Sequence, residues 1–179
     1  ASGLVVEPGL RFDWDEIVRR PLYSPRLAMS YTPGTEATTK FSAGAGLYYE
    51  HTQLRYLEQA FAGLRTDTYY AADGVTPVGL PLATAFTANY GSLRAPRVFN
   101  WSAGVERKLP ASIYASLNYL DKHGTDGLVY LNQGPPGALS GIYLLTNARH
   151  YDYRSVDFSL RRSFWGEYTL FGSYTHSFA

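Results

Sequence analysis

The side chains capable of chemistry are few in this chain, and none of them has the spacing of a catalytic centre. The four histidines are His51, His123, His150 and His176, and no two of them have the short spacing typical of metal ligands. The chain contains no cysteine, which excludes a disulfide and a cysteine-based metal site. The sequence shows no arrangement of a nucleophile, a general base and a residue that would orient the base. We therefore expect no metal, no cofactor and no enzymatic activity.

Two short motifs have a structural interpretation that we prefer to a functional one. Asp13, Asp15 and Glu16 form an acidic cluster, but the sequence lacks the Asp-x-Asp-x-Asp-Gly loop of dedicated calcium sites. Residues 44–46 (GAG) lack the third glycine and the following helix of a phosphate-binding loop. We interpret the acidic residues as charges near a rim, and the glycines as small residues that leave room beside a strand.

The composition is unusual in its aromatic content, which points to a boundary between water and an apolar phase. Aromatic residues make up 16% of the 179 residues, with 16 tyrosines and 17 glycines but a single methionine. Tyrosine is enriched where one end of a side chain is apolar and the other is wet. The net charge of +1 gives no basic surface for nucleic acid, so we expect no nucleic-acid partner.

Apolar and polar residues alternate along seven segments, which predicts strands with two different faces. In the first segment, Leu10, Phe12 and Trp14 share one face. Arg11 and Asp13 share the other. The segments have about 9 to 14 residues each, and a tilted strand needs about 9–11 residues to cross a bilayer. They cover residues 4–15, 25–33, 39–50, 97–108, 112–122, 151–164 and 167–178.

The connections between these segments alternate in length. Residues 33–38, 109–111 and 165–166 form short connections, and residues 16–24, 51–96 and 123–150 form long ones. Outer-membrane barrels have short periplasmic turns at one end and long extracellular loops at the other. The sequence therefore predicts an all-β fold, an antiparallel up-and-down transmembrane β-barrel segment with about seven strands of a larger barrel. Apolar residues at helical spacing near 54–64 predict a short helix in the longest loop.

Five charged residues fall on the predicted polar faces of these strands. Because the polar face of a barrel strand points inward, we expect these side chains to face the lumen. Pairing among them, or with other interior residues, is the simpler interpretation, and a place on a substrate path is the alternative. The five residues are Arg11, Asp13, Arg26, Asp157 and Arg161.

Aromatic residues cluster toward the two ends of the predicted strands. Tyrosine and tryptophan concentrate at the membrane–water interfaces of outer-membrane barrels. We therefore predict two interfacial belts, one near the short turns and one near the long loops. The residues assigned to this aromatic girdle are Tyr31, Tyr48, Tyr49, Tyr119, Tyr153, Trp165, Tyr168 and Tyr174.

The strands also resemble those of a known family in wording, order and spacing. Residues 8–14 (PGLRFDW) look like the G-L-R-Y-[DE] strand of TonB-dependent receptors, and residues 24–31 (SPRLAMSY) resemble their S-P-R-L-G-x-A-Y strand. Residues 41–50, 98–107 and 173–177 resemble three further strands of these receptors. The ordered set covers nearly the whole chain. It is most similar to the Oar-like receptors, which carry a carboxypeptidase-regulatory-like domain before the plug.

The resemblance implies a function and several partners. It implies that residues 1–179 are part of a barrel domain of about 22 strands, with no plug domain among them. It also implies a bacterial outer-membrane transporter that takes up a bulky nutrient, for which a glycan or a peptide would suit loops 54–96 and 125–149. The implied partners are outer-membrane lipid or lipopolysaccharide, the plug domain and the TonB system.

Two other classes of protein are alternatives at this point. A complete small outer-membrane barrel, acting as an adhesin or a pore, requires an even number of strands and a closing strand, whereas the sequence predicts seven. A soluble β-sandwich that binds carbohydrate would have shorter strands packed in two sheets. It would also have no reason to alternate short and long connections.

Overall fold

A single sheet contains every strand of the described chain. The computed structural model describes residues 3–34, 36, 38–138, 140–164 and 168–178. The strands are β1 (Gly3–Asp15), β2 (Arg20–Thr32), β3 (Thr39–Tyr49), β4 (Leu64–Asp67), β5 (Leu82–Ala88), β6 (Arg97–Leu109), β7 (Ile113–Asn132), β8 (Gly141–Phe164) and β9 (Tyr168–Phe178). A short helix, α1 (Leu54–Gln59), and a 3-10 turn (Tyr90–Ser92) lie between β3 and β6.

The order of the strands confirms the predicted fold class and corrects the number of strands. Neighbours run β1-β2-β3-β6-β7-β8, and β8 pairs with β9 along one stretch and with β5 along another. The described chain therefore has nine strands and not seven. Because they lie in one sheet, the alternative of a sandwich of two packed sheets is wrong.

The two strands that sequence reasoning missed lie inside the predicted loop 51–96. β4 and β5 form a small antiparallel pair, and β5 then pairs in parallel with the start of β8, from Thr84 opposite Gly141 to Ala88 opposite Leu145. The partner strand is more than 50 residues away in sequence. Strand formation that depends on such a distant partner leaves only a weak local pattern.

The first predicted long connection, residues 16–24, is wrong. The chain turns tightly at residues 16–19, and β1 and β2 pair without a gap from Asp15 opposite Arg20 onward. Pro21 and Pro25 disguised this stretch, because proline is rare inside sheets. Between Arg20 and Pro25 the strand pairs with β1 alone, so a proline nitrogen on the unpaired side removes no hydrogen bond from the ladder.

The third predicted long connection, residues 123–150, is mostly strand. β7 has 20 residues and β8 has 24, and only residues 133–140 connect them. The pairing shifts register between Gly124 and Gly127 and again between Gly127 and Val129, which lets the ladder continue past the glycines. At about 3.3 Å per residue β8 is about 80 Å long, so this hairpin projects well beyond the other strands.

The register gives the sheet one apolar and one polar face. Residues directly opposite each other on neighbouring strands share a face, and one apolar row crosses all seven long strands: Leu4, Tyr31, Phe41, Val105, Leu117, Phe158 and Tyr174. The adjacent row lies on the opposite face and is mainly small and polar: Val5, Ser30, Ser42, Gly104, Asn118, Asp157 and Thr175. Large side chains on the apolar face are exposed, such as Leu10, Phe12 and Tyr174.

A packed body covers the long-connection end of the sheet. We call it the cap and define it as residues 16–19, 50–96, 124–138 and 140–151. The buried apolar side chains of the described residues lie in or beside it: Val18, Leu22, Leu57, Leu93, Ala95, Val98, Leu128 and Leu145. A fully buried leucine such as Leu93 or Leu145 contributes about 1.5–3 kcal/mol. The core of this molecule is therefore in the cap, and the rest is a wall with two open faces.

The helix predicted near residues 54–64 is confirmed only in its first half. α1 ends at Gln59 and buries Leu57, while Phe61 lies beyond the helix and Leu64 begins β4. Of the helices in the described part of the chain, none is long and apolar enough to cross a membrane.

Candidate functional site

All five predicted interior charges lie on the polar face of the sheet, but they do not form one site. Arg11 and Asp13 form an exposed ion pair at 2.8 Å near the cap. Asp157, in the middle of β8, accepts a hydrogen bond from Thr175 at 2.6 Å. Arg161 lies 4.8 Å from the ring centre of Tyr114 near the short turns. These charges are spread along the whole length of the polar face and do not converge on one site.

The fifth charge, Arg26, lies in the middle of the face beside a floor of small residues. Its guanidinium is 6.0 Å from the ring centre of Tyr48, and that ring lies close over Gly46, where an added Cβ would be 2.8 Å from it. At Gly104 an added Cβ would be 2.1 Å from the amide oxygen of Asn118. A larger residue at either position would therefore displace the Tyr48 ring or the Asn118 amide from its present place.

A cavity of about 330 Å³ opens on the polar face at the edge of the cap. Its polar lining comes from the segment between β3 and α1, from α1 itself and from the interior of β8: Glu50, His51, Gln53, Tyr56, Arg149 and Tyr151. The set offers a carboxylate, a guanidinium, an imidazole, an amide and two phenols, which together can donate and accept hydrogen bonds. The sequence predicts that Tyr56 and Arg149 lie in the substrate-facing loops 54–96 and 125–149, but it assigns Glu50 and Gln53 no role. The end of β3 and the middle of β8 come together only across the two intervening strands β6 and β7.

Tyr151 is the residue that organises this cavity. Its hydroxyl donates a hydrogen bond to Oε1 of Glu50 at 2.8 Å, and its ring covers Gly124, where an added Cβ would be 2.1 Å from the ring. Tyr151 belongs to the cap and therefore lies outside the part of β8 that carries the apolar face. Partial burial, followed by the bond to Glu50, raises the pKa of Tyr151 to about 12. The phenol is therefore protonated and donates at neutral pH.

Another hydrogen bond, between Tyr130 and the backbone of Tyr56, holds α1 against the projecting hairpin. The hydroxyl of Tyr130 donates to the backbone carbonyl of Tyr56, and burial raises the pKa of Tyr130, with a smaller contribution from Tyr90. The hydroxyl of Tyr90 is itself buried and has no hydrogen-bond partner in the described residues. Phe86 adds a ring contact to Tyr130 at 5.0 Å. The wall of the cavity is thus part of the cap core.

A wider cavity, of about 620 Å³, lies on the polar face near the short turns. Tyr114 lines this cavity. The Arg161 guanidinium lies 4.8 Å and the Lys108 ammonium 5.9 Å from the centre of its ring. Lys40 and Glu106 lie opposite each other on β3 and β6 beside it. Cations next to an aromatic ring contribute about 0.5–1 kcal/mol at exposed sites. This end of the face carries an excess of positive charge.

The predicted aromatic belts are divided by the fold between the two faces. Tyr31, Tyr49, Tyr119, Tyr168 and Tyr174 lie on the apolar face. Tyr49 is partly buried against the cap core, and Tyr174 pairs with Phe158 in the middle of the face.

Tyr48 and Tyr153 lie on the polar face and cannot belong to a belt on the other side. Neighbouring residues of a strand point to opposite faces, so Tyr48 and Tyr49 exclude each other from a common belt. Tyr153 lies over Lys122, whose ammonium is 5.7 Å from the ring centre. Trp165, the remaining predicted member, lies outside the described residues.

The histidines and the acidic cluster have structural surroundings. His123 pairs with Asp152, and the ring of His176 lies 4.5 Å from that of Phe178. Asp15 accepts the backbone N–H groups of Ile17 and Val18, at 2.8 and 2.9 Å, and so closes the turn between β1 and β2. No group of three potential metal ligands occurs within the described residues.

A sheet with an exposed apolar face, a polar face and long connections at one end is the wall of an outer-membrane β-barrel. The chain belongs to the outer membrane beta barrel domain family, whose model matches residues 19–179. The predicted location in the outer membrane is thereby confirmed. None of the curated proteins compared with the chain matches it.

Solved structures of outer-membrane receptors are similar to this chain in fold. The siderophore receptor PirA from Pseudomonas aeruginosa is 19% identical with a TM-score of 0.67, over 98% of this chain and 31% of that one. The outer membrane transporter YddB from Escherichia coli is 17% identical with a TM-score of 0.71, over 97% and 22%. The ferric enterobactin receptor PfeA, also from Pseudomonas aeruginosa, is 18% identical with a TM-score of 0.71, over 99% and 25%.

The chain thus spans less than a third of the length of these receptors. Its fold is that of part of a TonB-dependent receptor barrel, as the resemblance implied. The Oar-like subgroup stays a prediction. At identities below 20% the likeness concerns the fold, and substrate and partners need arguments from the residues of this chain.

Proposed function

We propose that this chain is a wall segment of a TonB-dependent outer-membrane transporter, with no catalytic role. In this proposal the apolar face contacts lipid and the polar face lines the interior, where a plug domain of the parent chain would lie. The cap forms part of the extracellular entrance for substrate. Passage then depends on the TonB system, which supplies energy to move the plug.

The observation that carries the proposal is the cavity of about 330 Å³ around Tyr151, which we call the mouth cavity. It lies at the cap end of the polar face. Arg149 makes no ion pair within the described residues, although Glu50 and His51 line the same cavity. Polar side chains that converge in a concavity are typical of binding sites. Below the mouth, the floor of serines and glycines leaves space on the interior side of the wall.

For the substrate we propose a polar, hydrogen-bonding nutrient, such as a glycan or a peptide. The lining of the mouth provides donors and acceptors of both charge signs, and phenol rings on which a sugar or a side chain can pack. Siderophore and ferric enterobactin receptors share the fold. The residues of the mouth are better suited to a substrate bound through many hydrogen bonds than to a single strongly anionic group.

The test is growth of the native host on defined nutrients. Strains with and without the gene, each with and without an intact TonB system, are grown on soluble oligosaccharides or on peptides as the limiting nutrient. We expect growth on one class to be lost equally when the gene or TonB is removed. Growth that is unchanged without the gene on both classes, or that survives loss of TonB, would contradict the proposal and favour a passive pore.

A variant of the mouth tests the role of the cavity itself. Arg149→Gln should raise the substrate concentration for half-maximal uptake by about tenfold, because one charge-assisted hydrogen bond contributes about 1.5–3 kcal/mol. The maximal rate should be unchanged. The matched control is Arg65→Gln, which alters an exposed ion pair with Asp67 elsewhere in the cap and should have no effect.

A further inference from the structure

Two arginines share one carboxylate on the outer side of the wall. Asp126 accepts Nε of Arg97 at 3.0 Å and Nη1 of Arg94 at 3.4 Å. The Asp126 side chain is only 13% exposed, whereas those of Arg94 and Arg97 are 65% and 47% exposed. Two guanidinium groups with one counter-charge leave an excess of one positive charge at the surface.

The arrangement is built from three separate parts of the chain. Asp126 has a φ of +58°, which non-glycine residues rarely adopt, and it lies where β7 shifts register. The side chain of Asn147 accepts the backbone N–H of Arg94 and donates to its carbonyl, both at 2.8 Å, and also donates to the carbonyl of Asp126. Asn147 thereby fixes the backbone of Arg94 and of Asp126 relative to each other.

A cavity of about 450 Å³ lies beside this cluster. It is lined by Arg94, Asp126 and Asn147 together with Ser92 and His150. Within this lining, the Asn147 amide already donates to the carbonyls of Arg94 and Asp126, and the Ser92 hydroxyl donates to the carbonyl of Asn89. The Arg94 guanidinium and the His150 imidazole can donate to an anion. Guanidinium groups bind phosphate with two parallel hydrogen bonds, so this set is suited to phosphate.

The position of the cluster relates it to lipid and not to the interior. Arg97 lies on the apolar face, and the next residues on that face of β6 are Phe99 and Trp101, both exposed. The Trp101 ring packs on Tyr119 at 5.0 Å, as aromatic residues do at a membrane interface. Arg94, Arg97 and the cavity therefore follow directly on the apolar surface, at the long-loop end, where the outer-leaflet head groups would lie.

We propose that Arg94 and Arg97, with His150, bind a phosphate group of lipopolysaccharide in the outer leaflet. Arg154, on the same face, is by contrast paired one to one with Asp121 at 3.1 Å and offers no excess charge. Basic clusters at the head-group level bind anionic lipids. This inference rests on the outer-membrane location of the chain and is independent of what the protein transports.

The test uses the full-length protein, purified in mild detergent and mixed with lipopolysaccharide. Bound glycolipid is measured by native mass spectrometry for the wild type, for Arg94→Gln/Arg97→Gln and for the control Arg65→Gln. We expect the double variant to bind about tenfold more weakly or worse, and the control to bind like the wild type. Arg94→Gln alone, at the most exposed of the cluster residues, should give a partial loss without disturbing the fold.

Two further samples distinguish the lipid from a free anion. Dephosphorylated lipopolysaccharide should bind the wild type as weakly as intact lipopolysaccharide binds the double variant. Millimolar inorganic phosphate should not displace the glycolipid. Equal binding by the double variant, equal binding of the dephosphorylated form, or full displacement by inorganic phosphate would each overturn the proposal. None of these results would affect the uptake experiments described above.

Discussion

The hydroxyl of Tyr151 donates a hydrogen bond to the carboxylate of Glu50, which lies 101 residues earlier in the chain. The bond links the end of β3 to β8, across the two intervening strands β6 and β7. It therefore stabilises the mouth cavity. Neither residue has a pattern in sequence that would predict the contact.

The titration of Tyr151 gives a prediction for high pH. Its folded pKa of about 12 lies above the usual value of about 10. The protonated Tyr151 hydroxyl therefore makes its full contribution to the free energy of unfolding below pH 10, and this contribution is lost as the pH rises through 12. We expect tyrosinate absorbance of the full-length protein, minus that of Tyr151→Phe, to show one ionisation near pH 12. A difference curve with its midpoint near pH 10 would contradict the partial burial of Tyr151 and its contact with Glu50.

Two tyrosines of the cap should respond differently to loss of their hydroxyl groups. Tyr130→Phe removes the bond to the Tyr56 carbonyl and should lower the free energy of unfolding of the cap by about 1 kcal/mol. Tyr90→Phe removes a buried hydroxyl without a partner in the described residues and should leave this free energy unchanged or raise it. Urea-dependent proteolysis within residues 50–96 measures both, and equal losses would show that the two hydroxyls have equivalent surroundings.

The short turn between β6 and β7 holds backbone strain that glycine should relieve. Ala111 and Ser112 have φ angles of +60° and +56°, in a region that costs a non-glycine residue about 1–2 kcal/mol. Ala111→Gly should therefore raise the free energy of unfolding of the full-length protein from lipid by up to about 1 kcal/mol. The change is measured as a higher urea midpoint. Ala103→Gly, in the middle of β6, should lower it by about 0.5–1 kcal/mol. A decrease for both variants would argue against the turn conformation.

A charge introduced on neighbouring residues should discriminate the two faces of the wall. Met29 lies on the apolar face between Val6 and Ala43, and Ala28 lies on the polar face opposite Glu7. Met29→Arg should destabilise the folded barrel by about 2–4 kcal/mol if it lies near the bilayer midplane. Ala28→Arg should be nearly neutral, because Glu7 provides an opposite charge. Similar unfolding midpoints for the two variants would contradict the assignment of faces.

The sequence predicts the wall well and the cap poorly, for a physical reason. Along β1 and β3 each residue alternates between lipid and interior, so the period of two is visible in the residues themselves. In β5, by contrast, Thr84–Ala88 becomes a strand through parallel pairing with Gly141–Leu145. A pairing over such a distance is decided by the cap as a whole.

The candidate sites follow the same division. Arg26 and Asp157 could be placed on the polar face from alternation alone. The mouth cavity could not be predicted, because Glu50 and Tyr151 meet only after four strands have assembled. The error of assigning Tyr48 and Tyr49 to one belt was avoidable, since adjacent strand residues always face opposite sides.

The central claim is that one face of this sheet contacts lipid and the other faces water, and labelling of two adjacent residues tests it most directly. Ser102 lies on the polar face opposite Gly44 and Leu120, and Ala103 lies on the apolar face opposite Ala43 and Tyr119. The segment has no cysteine of its own, so Ser102→Cys and Ala103→Cys can be compared in the full-length protein in its native membrane. We predict that a charged, water-soluble maleimide labels Ser102→Cys, and that only a lipid-soluble maleimide labels Ala103→Cys. Equal labelling of both by the charged reagent, or the reverse preference, would contradict the account.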